Sequence, residues 1–162
     1  MAGAGGIEVI NFTLNGRATE IAGEPNTPLL YTLRNDCDAK GVRFGCGAGN
    51  CGACMVLIDG VAQPSCTTAN WVAADKQVQT AEGLAADPIG ALVLQAFIAE
   101  QAAQCGYCIN GMLMSLTALF KANPQADEAA LRSCLDRHLC RCGTHLRILR
   151  AARHAAELIQ AL

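Results

Sequence analysis

Gly45-Cys46-Gly47-Ala48-Gly49-Asn50-Cys51-Gly52-Ala53-Cys54 puts three cysteines and four glycines into ten residues, and Cys66 follows after eleven more. Three thiols drawn from one loop onto one small core force the chain to curl around that core. Glycine permits positive φ and lacks the Cβ that would block a close approach. Gly45, Gly47, Gly49 and Gly52 are therefore read as the positions that let backbone N–H groups point at sulfur. Cys66 closes the set from beyond a turn at Asp59-Gly60.

The spacing C-x4-C-x2-C with a distant fourth cysteine is the ligand pattern of a plant-type [2Fe–2S] cluster. A structural zinc site is the rival, but zinc ribbons usually pair two C-x2-C knuckles, and the first gap here is four residues. A second group follows, Cys105-x2-Cys108 and Cys140-x-Cys142. Its spacing is less specific and leaves zinc open. A Rieske centre needs two histidine ligands, and neither cysteine pair has one interleaved. His138 and His145 flank Cys140 and Cys142, but four cysteines already complete the site. Both are read as structural or solvent-exposed, with His154 on a helix face. Cys37 and Cys134 fall outside both groups. They are expected to be buried free thiols, packing like small hydrophobes, with a redox switch as the alternative.

Composition bounds the rest. A chain of 162 residues holds one ordinary domain or two small ones. Its 52% apolar and 16% charged residues are those of a globular protein. A net charge of −2 argues against a nucleic-acid partner. No apolar run approaches the roughly 20 residues of a membrane span. The first residues lack a charged segment followed by an apolar one and carry no twin arginine, so no export signal is expected. The expected compartment is the cytoplasm, with attachment to a membrane only through a partner subunit. There, ten cysteines point to metal rather than to disulfides. Two oxidised clusters at about −2 each would take the chain from −2 to about −6.

The texture changes near residue 85. Before it, the pattern predicts strands over 7–14 and 17–22 joined by Asn15-Gly16, a short helix over 28–35, strands over 54–59 and 61–63 joined by Asp59-Gly60, and a last strand over 77–80. A small β-grasp-like sheet around one helix fits these elements. After it, Asp87-Pro88 starts a helix in which Leu92, Ala96, Ala99 and Ala103 recur at helical spacing. Further helices are expected over 110–121, 128–135 and 145–161, the last with Thr144 as its cap. Four short helices suggest a bundle. Met112 and Met114 are assigned to its core, and 73–88 is the expected linker. No glycine-rich dinucleotide fingerprint occurs, so flavin and nicotinamide are expected to bind elsewhere.

Cys46–Cys54, Gln104-Cys105-Gly106-Tyr107-Cys108-Ile109-Asn110-Gly111-Met112 and Leu139-Cys140-Arg141-Cys142-Gly143 together resemble the small iron–sulfur subunit of the molybdenum hydroxylases, the xanthine oxidase family. The resemblance spans about residues 7 to 160. It implies an α+β chain: an N-terminal β-grasp ferredoxin domain (1–80), then a four-helix-bundle domain (81–162), each holding one [2Fe–2S] cluster. Cys46, Cys51, Cys54 and Cys66 would hold the first, and Cys105, Cys108, Cys140 and Cys142 the second. The resemblance further implies a large partner subunit carrying molybdopterin in its cytosine dinucleotide form, where a carbon centre is hydroxylated. Electrons would leave singly through the helical-domain cluster, then the plant-type one, to a flavin-binding or cytochrome-type acceptor subunit. Gln104 and Cys142 would sit against the pterin. The chain is then the electron-transfer part of an oxidoreductase, with no substrate site of its own. A free-standing ferredoxin-like carrier is the alternative.

This chain departs from the family pattern in places. Many relatives read Gly-Asn-Leu where it has Arg137-His138-Leu139, and a glycine there suits a left-handed helix end, a conformation Arg137 makes costly. Ile109-Asn110-Gly111 replaces the commoner Thr-Pro-Gly, and Gly143-Thr144-His145 follows the last ligand. The Ile-Asn-Gly and Gly-Thr variants resemble those of bacterial relatives acting on N-heteroaromatic rings or aldehydes. Arg141, between two ligands, is placed to raise a cluster potential or to face solvent or a partner.

Overall fold

In β1 (Glu8–Leu14) the alternation expected of a half-buried strand puts Ile10, Phe12 and Leu14 inward and Asn11 outward. The computed structural model describes residues 6–162; the export-signal reading of the first five lies outside them. Asn15 (φ 50°) and Gly16 (φ 80°) supply the two positive-φ positions of a tight turn. The chain returns as β2 (Arg17–Gly23), paired from Leu14↔Arg17 to Glu8↔Gly23. Asp59 and Gly60 repeat the device between β3 (Met55–Ile58) and β4 (Val61–Pro64). β5 (Gln77–Gln79) lies between the two hairpins, parallel to β1 and antiparallel to β3. The order β2-β1-β5-β3-β4 makes one mixed five-stranded sheet among the described residues.

α1 (Leu29–Asn35) covers one face, burying Leu29, Leu30 and Leu33 against Phe12, Val56, Ile58 and Val78. Leu57 and Met55 point the other way, into the helices. β3 is thus buried on both faces, and two cores share it. The helical core gathers α2 (Pro88–Ala99), α3 (Ile109–Ala122), α4 (Glu128–Leu135) and α5 (His145–Gln160) around Phe97, Met112, Met114, Phe120 and Ile148. Met112 and Met114 are core residues, as expected.

Asp87 caps α2 as its sequence position predicts, accepting from the N–H groups of Ile89 at 3.1 Å and Gly90 at 2.9 Å. Its other oxygen takes Gln79 at 3.0 Å and the Lys121 ammonium, tying β5, α2 and α3 together. Three expectations need correction. α2 ends at Ala99, before Ala103, because Gln101 turns left-handed (φ 48°) and feeds the chain into the Cys105 loop. Thr144 stands at the cap position of α5 but its side chain caps nothing; the hydroxyl lies 3.4 Å from Cys140 Sγ instead. The stretch 73–88 is no free tether. It holds β5 and a 3-10 turn over Ala81–Ala86. Asn15 fastens it, accepting from the Thr80 N–H at 2.8 Å and donating to the Thr80 hydroxyl at 2.9 Å. Among the described residues no helix is long and apolar enough to cross a membrane.

Candidate metal centres

The first cysteine loop runs between α1 and β3. Gly47 (φ 69°), Gly49 (φ 75°) and Gly52 (φ 73°) take left-handed conformations, and Gly45 does not. Gly45 is needed for space: a Cβ there would lie 2.5 Å from Cys51 Sγ. With the loop curled this way, four backbone N–H groups reach sulfur. Cys46 donates to Cys51 Sγ at 3.3 Å and Gly49 to Cys66 Sγ at 3.3 Å. Ala48 and Asn50 donate to Cys46 Sγ at 3.4 and 3.2 Å. The N–H groups of Ala48 and Asn50 hold the Cys46 thiol down to about 6, in thiolate territory. Burial pushes the Cys54 thiol up to about 11, although a backbone N–H at Cys66 opposes it. Cys46 is exposed, whereas Cys51, Cys54 and Cys66 are buried.

The second group assembles from two separated loops. Cys105 and Cys108 precede α3, with Gly106 (φ 74°) between them, and Cys140 and Cys142 precede α5. The tertiary fold brings Cys105 Sγ to 3.4 Å from Cys142 Sγ. The Tyr107 N–H lowers the Cys105 thiol, and the Cys142 thiol adds to it. Burial and the neighbouring Cys140 thiol push Cys108 up to about 12. Burial also acts to raise Cys140, but the Thr144 hydroxyl, the Thr144 and Gly143 N–H groups and Cys108 outweigh it and leave Cys140 at about 7.

The eight thiols thus fall into four neighbouring pairs: Cys46 with Cys51, Cys54 with Cys66, Cys105 with Cys142, and Cys108 with Cys140. Among the described residues no three His, Cys, Asp or Glu side chains converge as around a single ion. A [2Fe–2S] core takes two thiolates on each of two irons, and two pairs per site, fed by N–H···S contacts, fit it. Gln104 lies exposed beside Cys105, and Arg141 is exposed between Cys140 and Cys142. Cys37 and Cys134 are free but only half-buried. Burial nonetheless raises both, Cys134 to about 11. A hollow of about 750 Å³ lies along β2 and the end of α1 and includes none of the eight thiols.

The two loops meet, which spacing alone did not foretell. The Leu139 N–H donates to the Cys51 carbonyl at 3.1 Å. The Tyr107 hydroxyl donates to the Phe44 carbonyl at 2.5 Å, under the Arg43 guanidinium 5.1 Å from its ring centre. Asn110 donates to the Gly41 carbonyl at 3.0 Å. Gly111 lets α3 approach so closely that a Cβ there would sit 1.9 Å from the Gly52 carbonyl oxygen. His138 is buried, its Nε2 2.8 Å from Ser115 Oγ. Burial holds its imidazole down to about 4, hence neutral at pH 7. His145 is exposed, and His154 is half-buried with Nδ1 3.5 Å from a Glu100 oxygen. Arg137 avoids the left-handed conformation; α4 closes instead with Asp136 in the right-handed region and a His138 N–H to Leu135 carbonyl bond of 2.9 Å.

Comparison with known proteins follows the same division. A family model described as a 2Fe-2S iron-sulfur cluster binding domain matches residues 12–85, and one described as a [2Fe-2S] binding domain matches residues 80–153. One of the subunits of nicotinate dehydrogenase from Pseudomonas putida is 50% identical over 91% of this chain and 94% of its own length. The alpha subunit of isoquinoline 1-oxidoreductase from Brevundimonas diminuta is 45% identical over 92% of this chain and 98% of its own. The crystal structure of quinoline 2-oxidoreductase from Pseudomonas putida 86 superposes on 96% of this chain and 97% of the matched one, with a TM-score of 0.86 at 30% identity.

Proposed function

This chain belongs to the small [2Fe–2S] subunits of the molybdenum hydroxylases, and from that premise we propose that it relays electrons one at a time from a molybdopterin site in a partner subunit, through two [2Fe–2S] clusters, to an acceptor subunit. Membership makes it the iron–sulfur, electron-transferring part of a molybdenum-containing oxidoreductase. When bound, each cluster supplies a site that takes up and gives up one electron. Cys46 and Cys51 would hold one iron of the first cluster, Cys54 and Cys66 the other. Cys105 with Cys142, and Cys108 with Cys140, would hold the second. The N–H groups of Cys46, Ala48, Gly49 and Asn50 would stabilise the anionic sulfur.

The observation that carries the reading is the contact between the loops. Cys51 and Leu139 are joined directly, and Leu139 is bonded to Cys140, so a ligand of each group lies on one short run of covalent bonds and a single hydrogen bond. That contact supports a relay within the chain rather than two unrelated metal sites. Gln104 and Cys142 would face the molybdopterin, in its cytosine dinucleotide form. Exposed Leu139 and Leu146 beside the second site suit a face covered by the large subunit. The acceptor would be a flavin-binding or cytochrome-type subunit, and the complex cytoplasmic. In this reading the sheet half is a β-grasp ferredoxin domain over 1–80 and the helical half a four-helix bundle over 81–162. The names of the relatives support an N-heteroaromatic substrate for the partner subunit over an aldehyde.

Replacing Cys66 or Cys105 by Ser in the complete complex tests the assignment. Each variant is expected to lose one of two [2Fe–2S] signals, keep the other, and lose turnover with the acceptor. Retention of both signals, or normal turnover, would refute it.

A further inference from the structure

His138 lies between the two cysteine loops and belongs to neither set of thiols. Its side chain is only 3% exposed. On one edge Nε2 meets Ser115 Oγ at 2.8 Å, in the middle of α3. On the other edge Nδ1 is buried with no hydrogen-bond partner. That edge faces Gly52 so closely that a Cβ on residue 52 would fall 2.2 Å from Nδ1. Gly52 sits between Cys51 and Cys54, and the residue after His138 makes the backbone bond to Cys51. The imidazole therefore fills the volume that a side chain at 52 would occupy.

A buried nitrogen without a partner costs free energy that an apolar filler would avoid. Size and rigidity are what the ring supplies in return. It is fastened to α3 at one edge and pressed on the first cysteine loop at the other, while its own backbone leads into Cys140. We propose that His138 is a positioning residue that sets the separation of the two [2Fe–2S] clusters, an inference that rests on the two-cluster reading above.

The test is the magnetic interaction between the two clusters in the isolated, cluster-loaded chain reduced with dithionite, read by low-temperature EPR. In the unsubstituted chain, fewer than two cluster spins would overturn the two-cluster reading itself. With two spins present, His138→Asn is expected to keep both and shift the splitting between them. Both spins with an unshifted splitting would overturn this inference alone. Should His138→Asn fail to hold two clusters, Ser115→Ala decides, because it keeps the imidazole's bulk and removes its fastening. A shifted splitting in that variant supports the spacer, and an unshifted one overturns it.

Discussion

At the scale of single residues, glycines carry this structure for two different reasons. Gly47 and Gly49 serve the curl of the first loop through their positive φ. Gly52 does this too, but its missing Cβ makes room for His138 of the other half, and Gly111 returns the favour toward the Gly52 carbonyl. We predict that Gly52→Ala destabilises the chain by more than the about 1–3 kcal/mol of a left-handed alanine, because the methyl group also collides with a buried ring. Urea unfolding of Gly52→Ala, His138→Ala and the double variant checks this. The double variant is expected to cost less than the sum of the singles, since truncating the ring relieves the collision but not the strain. Strict additivity would contradict the packing described. That the cysteines gather in two groups was legible from their spacing, and the fold does bring Cys105 to Cys142 and Cys108 to Cys140. The neighbours of Gly52 were not, because residues 52, 111, 115 and 138 are joined only by tertiary packing.

At the scale of elements, local chemistry was the better guide. Both Asn/Asp-Gly turns and the Asp87 cap stand where their sequence positions put them, since each depends on two or three adjacent residues. The end of α2 and the role of Thr144 did not follow from propensity, because the second cysteine group dictates both. Helix–helix pairing was equally hidden. Glu128, in the first turn of α4, accepts from Arg153 of α5 at 2.6 and 2.7 Å and from Arg132 at 2.7 Å. The Arg153 guanidinium, with Arg132 beside it, holds the Glu128 carboxyl down to about 2, against 4.5 for an ordinary glutamate. A carboxyl depressed in the folded state stabilises it fully above the unfolded value. That contribution is lost as pH falls toward about 2. Accordingly, Glu128→Gln should be less stable than the unsubstituted chain at neutral pH. The gap, small for so exposed a pair, should close on acidification. Chemical unfolding at several pH values measures it, and a gap that widens in acid would contradict the pairing.

At the scale of the whole molecule, the two halves are less separable than the change of texture near residue 85 suggests. β3 gives Val56 and Ile58 to one core and Met55 and Leu57 to the other. A continuous apolar run announces a strand buried on both faces, but not what covers each face. Close by, Leu139 meets Cys51 and Tyr107 meets Phe44, so the strand shared by the cores is flanked by loops shared by the sites. These contacts fix the two cysteine loops with respect to each other, as the proposed electron relay requires. The direct test is spin-quantified EPR of the cluster-loaded, dithionite-reduced chain alongside its iron content. Two distinct [2Fe–2S] signals totalling about two spins per chain, with about four irons, are expected. A single signal with about half that iron, and zinc in the Cys105–Cys142 site, would contradict it.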